Sequence, residues 1–429
     1  MEVELKRVLG FWDLMGITMS QIIGAGILTY TGVAIGMTGR SVSVAYIIAA
    51  ILTLITSSPI VIANGTLHFE GGQYSQVTEL VSKRAGGFFI FIFIASNMSL
   101  SLYALSFGDY FISFFGFGDK RVVACTVLTV FYIINMLGID KVSKIQRWIV
   151  FTLLASFSIF IYRGIGHVDP NYFNDKFLTG GLKGLLQAAA LLNFAVVGGA
   201  NIANLSRECK NPTRDLPRVI VICTVFVGFL YAAIAVVASG VLDVELVANK
   251  PMTDVARVIL SKYEFIYFCV GGALIALISP LNGQFAWATK PIRQAAIEGW
   301  LPKHLAILNP NTRTPNRLLT ILYLVGIVPI IFNLDMAELG ASIVAVYQLN
   351  ALLIIYSLIG LMNRRPLEFA NSPYKFSRRG IYFLTSIAGI LGLIQVGLLF
   401  MALNRSMMIL TCLIVIGAIF FGKYKKIDE

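Results

Sequence analysis

The chain has 429 residues, of which 57% are apolar and only 13% charged, and its formal net charge is +12. An ordinary soluble domain carries about 25% charge, so a large soluble globule is excluded. Apolar runs longer than about 18 residues also exclude a β-barrel, whose strands alternate over about ten residues, and call for an all-α membrane protein.

Charged residues from Met1 to Arg7 run straight into the first apolar segment. There is no short apolar core followed by a small-residue cleavage site, which predicts a retained helix rather than a signal peptide. Twelve spans are predicted, over 11–36, 42–65, 86–115, 122–138, 146–166, 184–206, 217–240, 263–288, 317–333, 336–361, 380–403 and 406–422. Phe69 to Gly87, containing Glu70-Gly71-Gly72-Gln73-Tyr74, reads as an amphipathic segment on the membrane surface. Thr289 to Asn316 reads as the largest loop. Placing both termini, 1–10 and 423–429, in the cytoplasm puts more than two-thirds of the 34 Lys and Arg on that side. That bias accounts for the positive charge without nucleic acid. The expected location is a lipid bilayer, the plasma membrane.

Two spans are interrupted by small residues. Ile23-Gly24-Ala25-Gly26-Ile27 lies in the first, and Phe194-Ala195-Val196-Val197-Gly198-Gly199 in the sixth. Unpaired backbone groups in hydrocarbon cost several kcal/mol each, so such breaks persist where they line a cavity. A helix that stops near Ile23 and restarts near Ile27 leaves amides free at the positive end of a helix dipole, which suits a carboxylate. A half-helix ending at Phe194 and Ala195 offers carbonyls to an ammonium group. Close helix packing competes for either stretch alone; the matched pair favours an α-amino-acid site.

Three stretches resemble the amino acid–polyamine–organocation (APC) superfamily of transporters. Ile23 to Ile27 is similar to its IGxGI signature. Phe194 to Pro217 is similar to FAYxGFE…EExKNPxRxxP, keeping Phe194, Ala195, Gly198, Glu208, Lys210, Asn211, Pro212, Arg214 and Pro217. Ser279 to Pro302 is similar to SxLN…R……DGxLP, keeping Ser279, Leu281, Asn282, Gly299, Leu301 and Pro302. The resemblance implies a LeuT-type 5+5 inverted repeat with 12 transmembrane helices, helices 1 and 6 discontinuous. The repeats would be 11–166 and 184–361, with 380–422 as two additional helices. Glu208 would belong to the inner gate.

Val196, Gly199 and Ala200 replace residues that are often aromatic or acidic in that superfamily. The expected pocket is therefore roomier and lacks a carboxylate, which favours a neutral amino acid or close analogue over a diamine. Val196 and Gly199 are expected to shape side-chain specificity. Asn97, Ser101, Asn282, Gln348 and Asn350 are candidate lining residues, with interhelical hydrogen bonding as the competing reading. Ser279 and Ser156 are candidate oxygens for an ion. No lysine occupies the middle of span 5, and no deep acid or histidine forms a proton relay. Na+ coupling, H+ coupling and ion-free exchange all stay open, as does an accessory subunit. The five cysteines form no CxxC pair and the three histidines have no ligand spacing, so no metal or cofactor is expected.

Two other functional classes compete with transport. A receptor on the same scaffold would bind an amino acid without carrying it. Gly116-Phe117-Gly118-Asp119 spells the GxGD of intramembrane aspartyl proteases, but that chemistry needs a second aspartate at membrane depth. A glycine turn is expected there instead, and no enzymatic activity.

Overall fold

With no water in hydrocarbon, a segment must pair its own amides and carbonyls, and this chain does so through helices. The computed structural model describes residues 7, 9–138 and 142–424, with the side chains of Ala25 and of residues 142–147 left aside. The ends of the two predicted tails, 1–6 and 425–429, lie outside the described residues. The first predicted span divides into α1 (Phe11–Ile22), α2 (Ala25–Leu28) and α3 (Tyr30–Thr38). Then come α4 (Val42–Thr66), α5 (Gln73–Leu80), α6 (Lys83–Ser96), α7 (Ser99–Phe115), α8 (Lys120–Met136), α9 (Val142–Gly164) and α10 (Gly181–Val197). A 3₁₀ segment, Gly198–Glu208, leads to α11 (Pro212–Gly240), α12 (Val244–Val247), α13 (Thr253–Ile259) and α14 (Lys262–Ile266). A π-helical stretch, Tyr267–Leu274, joins α14 to α15 (Ile275–Ile297). The chain closes with α16 (Asn316–Ile331), α17 (Met336–Arg364), α18 (Pro366–Ala370), α19 (Arg378–Phe400) and α20 (Arg405–Tyr424).

Among the described residues, ten helical stretches are long and apolar enough to cross a membrane. Two predicted spans fall short. With 17 residues in α8 and 16 in α16, they reach about 26 and 24 Å at 1.5 Å per residue, against about 30 Å of hydrocarbon. The predicted surface segment is largely internal: Gln73, Tyr74, Ser75, Gln76, Val77 and Leu80 of α5 are buried. The predicted loop from Thr289 begins later, because α15 runs on to Ile297.

At the centre lie α1 to α3, α10 and the 3₁₀ segment, with α4 packed along α11 on one side and α7 and α15 on the other. An 18-residue apolar window within Gly181–Glu208 is 67% buried, whereas the corresponding windows of α19 and α20 are 28% and 22% buried, so the last two helices form an edge.

One end of the bundle is closed by Arg40, whose side chain is 3% exposed. Its Nη2 donates to Asp169 Oδ2 at 2.8 Å and its Nη1 to the Asn171 carbonyl at 3.0 Å. The Asn171 amide, then the Arg40 guanidinium, hold Asp169 below the usual carboxylate range. A lowered folded-state value stabilises above the unfolded pKa of about 4 and is lost as pH falls through the folded value. Asp169→Asn should therefore lower the melting temperature at pH 7, and the difference from the parent should close as both are titrated below about pH 4. A constant difference across that range would show that Asp169 acts through shape alone.

At the opposite end, Lys290 of α15 pairs with Glu208 at the end of the 3₁₀ segment. Leu9 is bridged to the next turn: its amide donates to the Glu208 carbonyl at 2.9 Å and its carbonyl accepts from the Lys210 amide at 2.9 Å. The segment after α4 holds the 3₁₀ stretch from beneath. Gln73 Nε2 donates to the Ala200 carbonyl at 3.0 Å, the Gln73 amide to Asn204 Oδ1 at 3.1 Å and Ser206 Oγ to the Phe69 carbonyl at 2.5 Å. Gly72, at φ +61, lies against Asn204, where a Cβ would fall 2.2 Å from Oδ1.

Asp119 accepts from the amides of Arg121 (2.9 Å) and Val122 (3.1 Å), capping α8. The GxGD sequence is thus a glycine turn with a helix cap, Gly116 and Gly118 standing at φ +76 and +107.

Candidate functional site

The first break is real backbone. Ile23 caps α1 with φ −76 and ψ 105, an extended conformation that ends the helix. The next helical bond runs from the Leu28 amide to the Gly24 carbonyl at 3.2 Å. The amides of Ala25, Gly26 and Ile27 therefore precede any helical acceptor.

The second interruption differs from expectation. The α-helix does not stop at Phe194 and Ala195 but continues to Val197, and Gly198 (φ −49, ψ −27) keeps a helical conformation. The chain tightens into eleven residues of 3₁₀ helix, well beyond the usual three or four. Glycine permits unwinding without forcing it. Here the Gln73 and Phe69 contacts reward the tighter winding.

The interruptions touch. A Cβ on Gly26 would lie 2.5 Å from Ala195 Cα, and one on Gly198 would lie 3.3 Å from the Gln21 carbonyl oxygen. Around this contact is a cavity with about 40 Å³ open to the centres of water-sized molecules. It is lined by Gln21, Ile22 and Gly26 from the first break, by Phe194, Ala195, Val197, Gly198 and Asn201 from the second, and by Phe93, Ser96, Asn97, Ser99 and Tyr103 where α6 meets α7. Gln284 and Trp287 of α15 and Ile343 and Tyr347 of α17 complete it. None of these side chains is charged. At about 10–15 Å³ per water by this measure, the space holds about three waters, so the site is contracted.

Of the predicted site residues, the cavity gathers Gly26, Phe194, Ala195, Val197, Gly198 and Asn97. Ile23 and Ile27 are fully buried in packing, and Gly24 lies against Pro280 and Tyr103. Val196 and Gly199 do not line it. Val196 is fully buried, and a Cβ on Gly199 would meet Ile22 and Thr18 at 3.2 and 3.3 Å. The expected extra room is therefore absent, because α10 runs past Ala195 and carries Val196 to its far face. Ser101 is buried and back-bonded to the Met98 carbonyl, and Asn282 accepts from Asn135 at 2.7 Å. Asn350 donates to the Phe89 carbonyl at 3.0 Å, and Gln348 sits by Gly392 on α19. For Ser101, Asn282 and Asn350, interhelical or backbone bonding is what the structure contains, whereas Gln348 Nε2 is buried without a hydrogen-bond partner among the described residues.

The two candidate ion oxygens are not brought together. Ser156 lies against Gly272, seven residues before Ser279 and about 10 Å along the helix. A different oxygen faces the break. Pro280 has no amide to offer the Ala276 carbonyl, and that carbonyl lies 3.4 Å from where a Gly24 Cβ would be.

Three buried tyrosines from three helices hold the carbonyls of the broken first helix. Tyr231 donates to Ile22 at 3.0 Å, Tyr46 to Gly26 at 3.1 Å and Tyr110 to Leu28 at 2.8 Å. Tyr110 also accepts from the Met252 amide at 3.1 Å. Each phenol supplies a donor that the lost helical turn no longer provides. Sequence reasoning missed these residues, and also Gln21, Tyr103, Asn201, Gln284, Trp287 and Tyr347. The available signal for Gln21 and Gln284 was an amide inside an apolar span.

An all-helical membrane protein with a cavity walled by two interrupted helices is a transporter architecture. The chain belongs to the amino acid permease family, whose model matches residues 9–423, and with it to the APC superfamily. It is an integral membrane transporter rather than an enzyme. Among its relatives are a branched-chain amino acid permease of Bacillus subtilis, 24% identical over 73% of this chain and 72% of that one. A methylthioribose transporter of Bacillus subtilis is 25% identical over 73% and 72%. Cationic amino acid transporter 1 of Arabidopsis thaliana is 22% identical over 73% of this chain and 55% of that one.

Proposed function

We propose that this permease carries a neutral amino acid across the plasma membrane by alternating access. The fold would be the LeuT-type inverted repeat of 11–166 and 184–361, with both termini cytoplasmic and twelve spans, the short α8 and α16 crossing where the bilayer thins around them. The observation that carries the reading is a cavity whose lining includes both interruptions and no charged side chain. A zwitterion balances its own charge, its carboxylate toward the amide-bearing turn after Gly24 and its ammonium toward the carbonyls ending α10. A cationic substrate would add a charge with no acid among the lining residues to meet it. The branched-chain relative is named for neutral substrates; the methylthioribose relative argues for testing uncharged analogues.

In this orientation the Glu208–Lys290 pair belongs to the inner gate. Burial pushes the neighbouring Cys209 thiol up to about 12, so it is unreactive at neutral pH while the gate is shut. Glu208→Gln removes the charge holding Lys290 and should speed alkylation of Cys209 several-fold, read by mass spectrometry. Unchanged labelling would remove the pair from the gate.

The deciding experiment is uptake by proteoliposomes of radiolabelled alanine, leucine, serine, lysine and methylthioribose. Separate arms impose a Na+ gradient, a pH gradient or internal amino acid, which separates the coupling modes. Accumulation of a neutral amino acid is expected. Binding without vesicle filling would instead indicate a receptor, and uptake of lysine alone would overturn the neutral assignment.

A further inference from the structure

We propose that the transported amino acid has a small, uncharged side chain bearing a hydroxyl or carboxamide, and that Gln284 selects it. This rests on reading the cavity as an amino-acid site. Gln284 is 4% exposed. Its Nε2 donates to Asn97 Oδ1 at 2.8 Å and to Ser99 Oγ at 2.7 Å. Both amide hydrogens are thereby used and the orientation of the group is fixed. Its Oε1 has no partner among the described residues, and Gln284 lines the cavity. An acceptor on the cavity lining left in this way is available to a ligand donor.

A donor lines the same cavity. Gln21 Oε1 accepts from the Trp287 indole at 3.1 Å, which assigns Nε2 as the other end of that amide. That Nε2 lies against Gly283, where a Cβ would come within 1.7 Å of it, and Gln21 and Gln284 both line the cavity. An acceptor and a donor on the wall of one cavity complement a hydroxyl or a carboxamide, which offers both. A valine or leucine side chain would cover both groups and satisfy neither. Sites built to hydrogen-bond a substrate group reject the analogue lacking it far more strongly than apolar pockets sort by size. The contracted cavity asks least rearrangement of small side chains.

The test uses the full chain in nanodiscs and equilibrium binding of L-alanine, L-serine, L-threonine, L-asparagine, L-valine and L-leucine. Serine, threonine or asparagine should bind at least about ten-fold more tightly than valine and leucine. Gln284→Leu should erase that ratio. Ser99→Ala frees the amide of one restraint and should narrow the ratio, which keeps the test open if Gln284→Leu does not fold. Alanine binding with valine or leucine preferred, or a ratio untouched by either variant, would overturn the inference alone. Failure of every amino acid to bind would overturn the amino-acid reading and this inference with it.

Discussion

Gly26→Val should reduce uptake to below about one-hundredth of the parent rate, equivalent to about 2.7 kcal/mol at 1.36 kcal/mol per tenfold. The added Cβ would lie 2.5 Å from Ala195 Cα and 2.6 Å from Ala195 Cβ. The first of these is backbone, so no rotamer relieves it. Valine's branches must push α2 from α10 at the contact where the two interruptions frame the cavity. Forcing carbon into such a site costs about 1–3 kcal/mol, enough to move the substrate groups out of register and lower the melting temperature as well. Gly26→Ala introduces the same first carbon and should lose most of the activity. Uptake above half the parent rate in either variant would show that Gly26 does not set the cavity.

Tyr110→Phe should be more damaging than Tyr231→Phe. One hydroxyl serves two buried partners, donating to the Leu28 carbonyl and accepting from the Met252 amide. Removing it strands both, at about 1–3 kcal/mol for each unsatisfied group. Tyr231→Phe strands only the Ile22 carbonyl and should cost about half as much. The comparison is made by denaturant or thermal unfolding in one detergent, with uptake measured alongside. Equal effects in the two variants would remove Tyr110 from its place as the link between the broken helix and the segment ahead of α13.

The first break was legible in the sequence because Gly24 and Gly26 interrupt an apolar span just after Ile23, and hydrocarbon punishes an unpaired turn unless something repairs it. What repairs it was hidden. Tyr46, Tyr110 and Tyr231 come from three distant helices, and nothing local marks an apolar-span tyrosine as a carbonyl's partner. The side-chain pocket was misread for one reason. If α10 ends at Ala195, Val196 is free to turn inward. Because it continues, Val196 falls about 180° from the direction shared by Phe194, Ala195, Val197 and Gly198, at about 100° per residue. Phe194 and Asn97 survived the error since neither depended on where the helix stopped. Ser156 and Ser279 were paired on residue type, with no means of seeing that two turns of helix lie between them.

The long 3₁₀ segment behind the cavity stores length. At about 2.0 Å per residue against 1.5 Å for an α-helix, its eleven residues extend about 5 Å further than an α-helix of the same sequence. Relaxation to the wider winding would draw the Glu208 carboxylate by that distance, an axial stroke of about one helical pitch, without any hinge at Gly198.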